Sequence, residues 1–233
     1  MKAYYDIHIH SVLSACASEI QTPNNILNMC MLKGLNIVSI TDHNSLKQME
    51  TIDKIVPSYD FLFLYGVEVT VKEGFHVLAY FENLKQALTF DTIIEKANPK
   101  IPFHNHYGRQ VLCDEFDEEI GEIDYQLNVP LSIDLAKMIT EVHTLGGVVI
   151  LAHIDRSNGI LEYYSDFSNY NIDGIEVREK EKIASLLIQH PYLNNYQILY
   201  SSDAHSLENI HERYFFLELE NLNFECFKRA LKK

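Results

Sequence analysis

The chain has 233 residues, 47% hydrophobic and 22% charged, with nine glycines, six prolines and no tryptophan. That composition describes one ordinary globular domain and excludes a disordered or collagen-like chain. Nineteen basic side chains against thirty-three acidic ones leave a formal charge of −14, so we expect no extended nucleic-acid surface and no membrane partner.

Four cysteines, Cys16, Cys30, Cys113 and Cys226, form no CxxC pair and read as cytosolic thiols. No apolar run approaches the roughly 18–20 residues needed to cross a bilayer. Residues 1–11 carry Asp6, His8 and His10 where a signal peptide needs an apolar core. A cytoplasmic protein is the expectation. The oligomeric state is not legible.

In chain order, the pattern predicts a strand over 4–9. A helix follows, capped by Thr22, with Pro23 at its first position and Gly34 just past its end. Its apolar face is Ile26, Leu27, Cys30 and Met31. A strand over 37–41 leads to a helix from Ser45 to about Val56, stopped by Pro57; strands over 61–69 and 76–81 come next. Residues 83–130 carry acidic clusters and no clear strand period, and read as an inserted cap or lid within a single 1–233 domain. Beyond it lie a helix over 131–145 closed by Gly146-Gly147, strands over 148–153, 174–177, 198–201 and 215–219, and a helix over 224–231. Strands alternating with helices indicate an α/β fold with a mostly parallel sheet.

The functional signal is positional. His, Asp and Glu recur at strand ends: His8 and His10 after the first strand, on one face by period-two alternation, then Asp42-His43, Glu68, His76, His153, Glu176, and Asp203 with His205. The carboxyl ends of parallel strands are where binding and catalytic groups converge. Any one of these residues has an ordinary explanation: a histidine beside a strand is usually hydrogen-bonded and structural, and Asp42 or Asp203 could cap a helix. Together they are costly to bury unless they pair or hold cations, and a metal cluster removes that cost. Imidazoles mixed with carboxylates, without a thiolate pair, suit zinc, manganese or iron over calcium or magnesium.

The segments Asp6-Ile7-His8-Ile9-His10-Ser11, Thr41-Asp42-His43-Asn44, Gly66-Val67-Glu68-Val69, Phe75-His76-Val77-Leu78, Ala152-His153 and Ser202-Asp203-Ala204-His205 resemble, in order, the PHP (polymerase and histidinol phosphatase) family of metal-dependent phosphoesterases. The resemblance implies a distorted seven-stranded β/α, TIM-like barrel with the 83–130 region as insertion. It implies two or three divalent ions (Mn, Zn or Fe). His8, His10, Glu68 and Asp203 would hold the first, and Glu68 would bridge to a second held with His76 and His153. His43 and His205 would belong to a third. There the chain departs from the pattern, because Ala15 stands where the family has a loop acid or histidine. The third ion is then weakly held, completed by water, bound by a thiolate, or absent.

The same resemblance implies hydrolysis of a small phosphorylated metabolite or nucleotide by a metal-bridging hydroxide. Glu68 would position it, and His205 or His43 would be possible proton donors. Arg156 is read as a phosphate grip in preference to a surface ion-pair partner. His104, His106 and Arg109 would be lid residues contacting substrate, or part of an exposed polar loop. Glu176 and Arg178 would support the ligands or form an ion pair, and His143, His190 and His211 are read as structural. Two alternatives stand beside this reading: a nuclease or oligonucleotide phosphodiesterase acting on short ends, and a barrel that keeps metals for stability without turnover.

Overall fold

In the computed structural model, residues 1–104, 106 and 108–232 are described. The described strands are β1 (Lys2–Asp6), β2 (Ile37–Val38), β3 (Leu62–Phe63), β4 (Tyr65–Thr70), β5 (His76–Phe81), β6 (Val111–Cys113), β7 (Glu119–Glu122), β8 (Val148–Leu151), β9 (Gly174–Glu176), β10 (Gln197–Leu199) and β11 (Phe216–Glu218). The α-helices are α1 (Pro23–Leu32), α2 (Met49–Ile55), α3 (Leu84–Ala97), α4 (Leu135–Thr144), α5 (Ile183–Gln189) and α6 (Phe224–Ala230).

The strands form three sheets, ordered β11-β1-β2-β3, β10-β9-β8-β5-β4 and β6-β7. The expected α/β class is present, but the expected mostly parallel sheet is a mixed one. β4 pairs antiparallel with β5 over six residue pairs, β5 pairs antiparallel with β8, and β11 pairs antiparallel with β1. The turn between β4 and β5 explains the first: Val71 N–H donates to the Phe75 carbonyl and Gly74 takes φ +104°. So short a connection can join only antiparallel neighbours.

Nor do the ladders close into the seven-stranded barrel that the resemblance implied. The two larger sheets are continuous through Leu64, between β3 and β4, and otherwise touch through isolated parallel bridges at His43–Glu68 and Ile9–Ala204. Beside each bridge a residue leaves the extended region: Asn44 at φ 47° and Asp203 at φ 49°. Left-handed backbone cannot continue a ladder, so pairing stops where the site begins.

Both sheet faces are buried, which is why these strands read as continuous apolar runs. Outward, Val67, Val69, Val77, Val149 and Leu151 pack with Ile26, Leu27 and Cys30 of α1, Ile52 of α2, Phe90 of α3 and Met138 of α4. Inward, Ala3, Tyr5, Leu64, Leu78, Tyr80, Val148, Ile150 and Leu199 meet Phe224 and Phe227 of α6, which closes that end. Met31, expected on the buried face of α1, is 51% exposed because its i−4 neighbour Leu27 and Cys30 already fill the contact.

Helix α3 falls inside the 83–130 stretch expected to be a cap. Its buried residues Ala87, Phe90, Asp91 and Ile94 follow helical spacing, its Asn83 side chain caps Gln86 N–H at 3.1 Å, and it packs into the main core. The β6–β7 hairpin follows it, with β6 half-buried and β7 mostly exposed. Among the described residues no helix is long and apolar enough to cross a membrane.

Candidate metal centre

The inner face of the sheets changes character along each strand. On β4 and the residue before it, Leu64, Gly66 and Glu68 share one side, and on β5 Tyr80, Leu78 and His76 do the same. The aliphatic end meets α6, and the polar end forms the site. Gly66 permits this convergence: a Cβ there would lie 2.2 Å from Ser39 Oγ and 2.7 Å from Thr41 Cγ2.

Glu68, 1% exposed, is the hub. Its Oε1 lies 2.9 Å from His76 Nδ1, 3.0 Å from His153 Nε2 and 3.3 Å from His8 Nε2; its Oε2 lies 3.0 Å from His43 Nδ1 and 3.4 Å from His10 Nε2. Asp203 Oδ1 completes the arrangement, 3.2 Å from His10 Nε2 and 3.4 Å from His8 Nε2. Ligand atoms lie within 4.8 Å of one another in the groups His8, His10, Asp203; His43, Glu68, His76; and His10, His43, His205.

Hydrogen bonding alone does not satisfy this cluster. A carboxylate offers about four lone-pair sites, and Glu68 faces five imidazoles. The tautomers sharpen the point. His8 Nδ1 is 2.9 Å from Glu176 Oε1; an ionised carboxylate only accepts, so Nδ1 carries a proton, and Nε2, facing Glu68 and Asp203, is the nitrogen that a cation would take in place of a proton. Ser14 spends its hydroxyl proton on Asp42 Oδ1 at 2.7 Å and so accepts from His10 Nδ1 at 3.1 Å. His10 Nε2 therefore points a bare lone pair at two carboxylates. Nε2 of His8 and of His10, with His43 Nδ1 and His153 Nδ1, are buried atoms without a hydrogen-bond partner. Acceptors aimed at acceptors in a dry pocket are what cations between them stabilise, and the donor set of imidazoles and carboxylates fits divalent metal ions.

Without a cation the carboxylates draw protons onto two of the rings: burial opposes the charge of His8 and His43, but Glu176, Glu68 and Asp203 hold His8 well above its ordinary value, and Glu68 raises His43 to about 10, positive charge that bound metal ions would replace. Burial opposes the charge of Glu68, but His76, His8 and His43 outweigh it and hold the carboxyl well below its ordinary range. Asp203 is likewise pulled down, against burial, by His8 and His10. Burial together with neighbouring His43 lowers His10 to about 3, which leaves it unprotonated at neutral pH.

Several of the candidate ligands are held by polar contacts behind them. Glu176 Oε1 also accepts from the His153 backbone N–H at 3.2 Å, fixing a residue at φ 25°. Asp6 accepts from Ser202 N–H at 3.0 Å and His211 N–H at 2.8 Å, orienting the turn that presents Asp203. Asp42, for which helix capping was the ordinary expectation, is buried instead. It accepts from Ser11 N–H at 2.8 Å, Ser11 Oγ at 2.6 Å and Ser14 Oγ at 2.7 Å, stitching the loop after His10 to the end of β2. Asn44 accepts from Thr70 N–H at 2.9 Å and donates to the Val129 carbonyl at 2.8 Å, joining the site to the 98–130 segment. Ser14 and Asn158, which lies 3.2 Å from His76 Nδ1, are supporting residues that the motifs do not include.

A cleft of about 400 Å³ opens over the cluster, lined by Cys16, His43, Glu68, His76, Asn128, His153, Arg156, Asn158, Arg178, Asp203, His205 and Asn209. Arg156, 45% exposed, stands on this wall with Nη1 2.5 Å from Asp203 Oδ2. Arg178 donates to the Ser201 and Ser202 carbonyls. His205 Nδ1 donates to the Asp203 carbonyl at 2.9 Å, leaving Nε2 for the cleft. Three residues expected to contact substrate lie elsewhere. Arg109 is exposed and paired with Glu119 and Glu122 beside a separate depression. His104 and His106 are exposed and do not line the metal cleft. His143, read from sequence as structural, lies 2.8 Å from Asp173 and does not line the cleft.

No protein-family model matches the chain. It is similar to an uncharacterized protein of Methanocaldococcus jannaschii, MJ1587, 29% identical over 106 residues that cover 41% of this chain and 60% of that one. In fold it is similar to the lesion-specific endonuclease EndoQ of Pyrococcus furiosus (TM-score 0.74, 22% identity, 100% of this chain and 56% of that chain). It is also similar to a two-domain Bacteroides vulgatus protein containing a predicted PHP-like metal-dependent phosphoesterase (TM-score 0.58, 16% identity, 99% of this chain and 62% of that one). The chain thus spans only 56% of EndoQ and 60% of MJ1587. Its fold is that of the PHP-like phosphoesterases, as the motifs implied.

One expectation is overturned. Endonuclease Q has been solved with a 27-mer duplex carrying an abasic lesion at its active site, and this chain matches that structure over 98% of its length with a TM-score of 0.71. A fold of this kind does take extended nucleic acid, so a net charge of −14 does not exclude it. Net charge sums over the whole surface, whereas a phosphate backbone responds to the charge near the groove that receives it.

Proposed function

We propose that the chain is a metal-dependent phosphoesterase, a hydrolase of phosphate esters. The observation that carries this is the Glu68 hub: five imidazole nitrogens within 3.4 Å of one buried carboxylate. Glu176 and Ser14 hold a proton on the outer nitrogens of His8 and His10, so that with ions bound their Nε2 lone pairs would face inward. His8, His10, Glu68 and Asp203 would hold one ion, Glu68 with His76 and His153 a second, and His43 and His205 would serve a third. Such ions supply Lewis acidity and a water acidified to neutral pH.

The chain's own residues do the rest. Glu176, Ser14 and the Asp203 carbonyl keep the protons of His8, His10 and His205 on the nitrogens turned away from the reaction. Arg156, on the cleft wall beside Asp203, is placed to take non-bridging phosphate oxygens through its planar fork. The aliphatic face behind Glu68 keeps water from approaching from below, which strengthens every charge interaction in the site.

A small phosphomonoester fits the 400 Å³ cleft. A phosphodiester in a nucleic acid is the second reading, favoured by the likeness to Endonuclease Q. The test is hydrolysis by protein reconstituted with manganese, zinc or iron, assayed on mononucleotides, sugar phosphates and duplexes with and without an abasic lesion at matched salt. Release of phosphate from small esters supports the first reading and cleavage of the duplex the second. Inactivity on every substrate with every metal, in protein shown to be metal-loaded, would defeat both.

A further inference from the structure

A second cavity adjoins the metal cleft. It has a volume of about 440 Å³, and Cys16, His43 and Asn128 line both spaces. That volume lies within the roughly 300–1,000 Å³ of small-molecule sites. The two differ in chemistry. The cleft is lined by the candidate ligands and two arginines, whereas none of the described residues lining the second cavity is Asp, Glu, Lys or Arg. Its further walls are apolar at Ala15, Phe103 and Leu127 and carry the amides of Gln110 and Gln126.

Backbone pairing holds these walls in place. Phe103 N–H donates to the Asp124 carbonyl at 2.8 Å and Gln126 N–H to the Ile101 carbonyl at 2.7 Å, on either side of the antiparallel bridge between Pro102 and Tyr125. Gln110 is spent on the same scaffold: its Oε1 accepts from Leu127 N–H at 3.0 Å, and its Nε2 donates to the Ile123 and Tyr125 carbonyls at 3.0 and 2.7 Å. Asn44, the residue after His43, donates to the Leu127 and Val129 carbonyls and so clamps the chain on both sides of Asn128. The Asn128 side chain is exposed and makes no hydrogen bond among the described residues. A positioned but uncommitted amide therefore stands on the boundary between the two spaces.

A charged cleft beside a neutral compartment divides a phosphoester between them, with phosphate at the ions and Arg156 and the organic remainder next door. An aromatic ring together with an amide that both donates and accepts suits a flat heterocycle with polar groups along its edge. An alkyl chain would leave the amide unused, and a bare sugar would leave the ring unused. We propose, on the phosphoesterase reading of the adjoining cleft, that this compartment binds the nucleobase of a nucleotide substrate. Phe103 stacks on the base, which every base permits, and Asn128 reads its edge, which separates one base from another.

Turnover and binding are measured separately on the whole chain loaded with manganese. The turnover substrates are the four ribonucleoside 5′-monophosphates and ribose 5-phosphate, which carries the same ester without a base; the binding probes are the four nucleosides, which have no phosphate to hydrolyse. At least one nucleotide should exceed ribose 5-phosphate in kcat/KM by about thirtyfold, and its nucleoside should bind. Phe103→Ala should shrink that ratio, and the nucleoside affinity, about tenfold. Asn128→Ala, at an exposed side chain, should narrow the spread of kcat/KM among the four bases. Equal turnover of all five esters without nucleoside binding, or ratios that neither substitution changes, overturns the base compartment and leaves the hydrolase standing. Nucleoside binding that Phe103→Ala weakens, in metal-loaded protein that hydrolyses no ester, keeps the compartment and overturns the phosphoesterase reading. Neither binding nor turnover overturns both.

Discussion

The cleft and the β6–β7 hairpin use the same kinds of residue to opposite effect. Around Glu68, His8, His10, His43 and His153 are buried, and three of the candidate ligands have a second polar contact behind them: Glu176 behind His8, Ser14 and then Asp42 behind His10, the Asp203 carbonyl behind His205. On the hairpin, Arg109 pairs with Glu119 and Glu122, and Lys54 with Glu115, with side chains 31–60% exposed. Water screens the second set and long side chains lose entropy to form it. Burial converts an ordinary charge pattern into a site, because only there does an unmatched lone pair cost enough to demand a cation.

The largest effect expected from breaking this contrast is at the hub. Glu68→Gln removes the charge that faces five imidazoles and should abolish metal retention, measured by metal analysis after dialysis. Turnover on any active substrate should fall at least about a thousandfold. Retention of full metal content would show that Glu68 is a hydrogen-bond acceptor and not a bridge. A step smaller is the layer behind the ligands. Glu176→Gln leaves the shape but weakens the hold on His8 Nδ1 and the His153 backbone, and should lower metal affinity about 10–100-fold. Asp42→Ala strands three donors from Ser11 and Ser14 and should destabilise the fold by about 3 kcal/mol, read as a shifted denaturant midpoint.

The difference between these layers is also the difference between what the sequence shows and what it hides. His8 and His10 are legible because a two-residue spacing at a strand end is a local signal; the order of Asp42-His43, Glu68, His76, His153 and Asp203 is legible because it matches known motifs. The eight expected strands all occur, that over 61–69 as β3 and β4, although several stop short of the site residues. Asp42 was legible as a residue but not as a role, since its partners are 28 and 31 positions away. The spacing of Ala87, Phe90, Asp91 and Ile94 does mark α3; treating 83–130 as one insertion passes over it. The β6–β7 hairpin carries no usable alternation because β6 spans only three residues and β7 is exposed on both faces.

Metal removal tests the contrast as a whole. With ions held at a free concentration a hundredfold above their dissociation constant, the folded state gains about 2.7 kcal/mol per site. For a domain of this size that corresponds to roughly 5–10 °C in Tm. Chelation should therefore lower Tm by at least that much, and hydrogen exchange should rise at residues 8–11, 42–44 and 203–205 while the hairpin at 111–122 stays unchanged. A uniform rise across both regions would mean that the ions support the whole domain and not the cleft.

The smallest effect is expected at Arg109, and it is informative because this residue was read from sequence as a substrate contact. Its guanidinium is committed to Glu119 and Glu122 and lines a depression formed with Val12, Ala15 and Thr22 rather than the cleft over Glu68. An exposed ion pair contributes little to stability, so Arg109→Ala should leave Tm within about 2 °C and kcat/KM within about threefold. Arg156→Ala, by contrast, should raise KM about tenfold or more, the loss expected for one charged phosphate contact. If the two substitutions were equally damaging, the 98–130 segment would have to fold over the cleft during turnover, and the boundary between scaffold chemistry and surface charge would lie further out than the resting geometry places it.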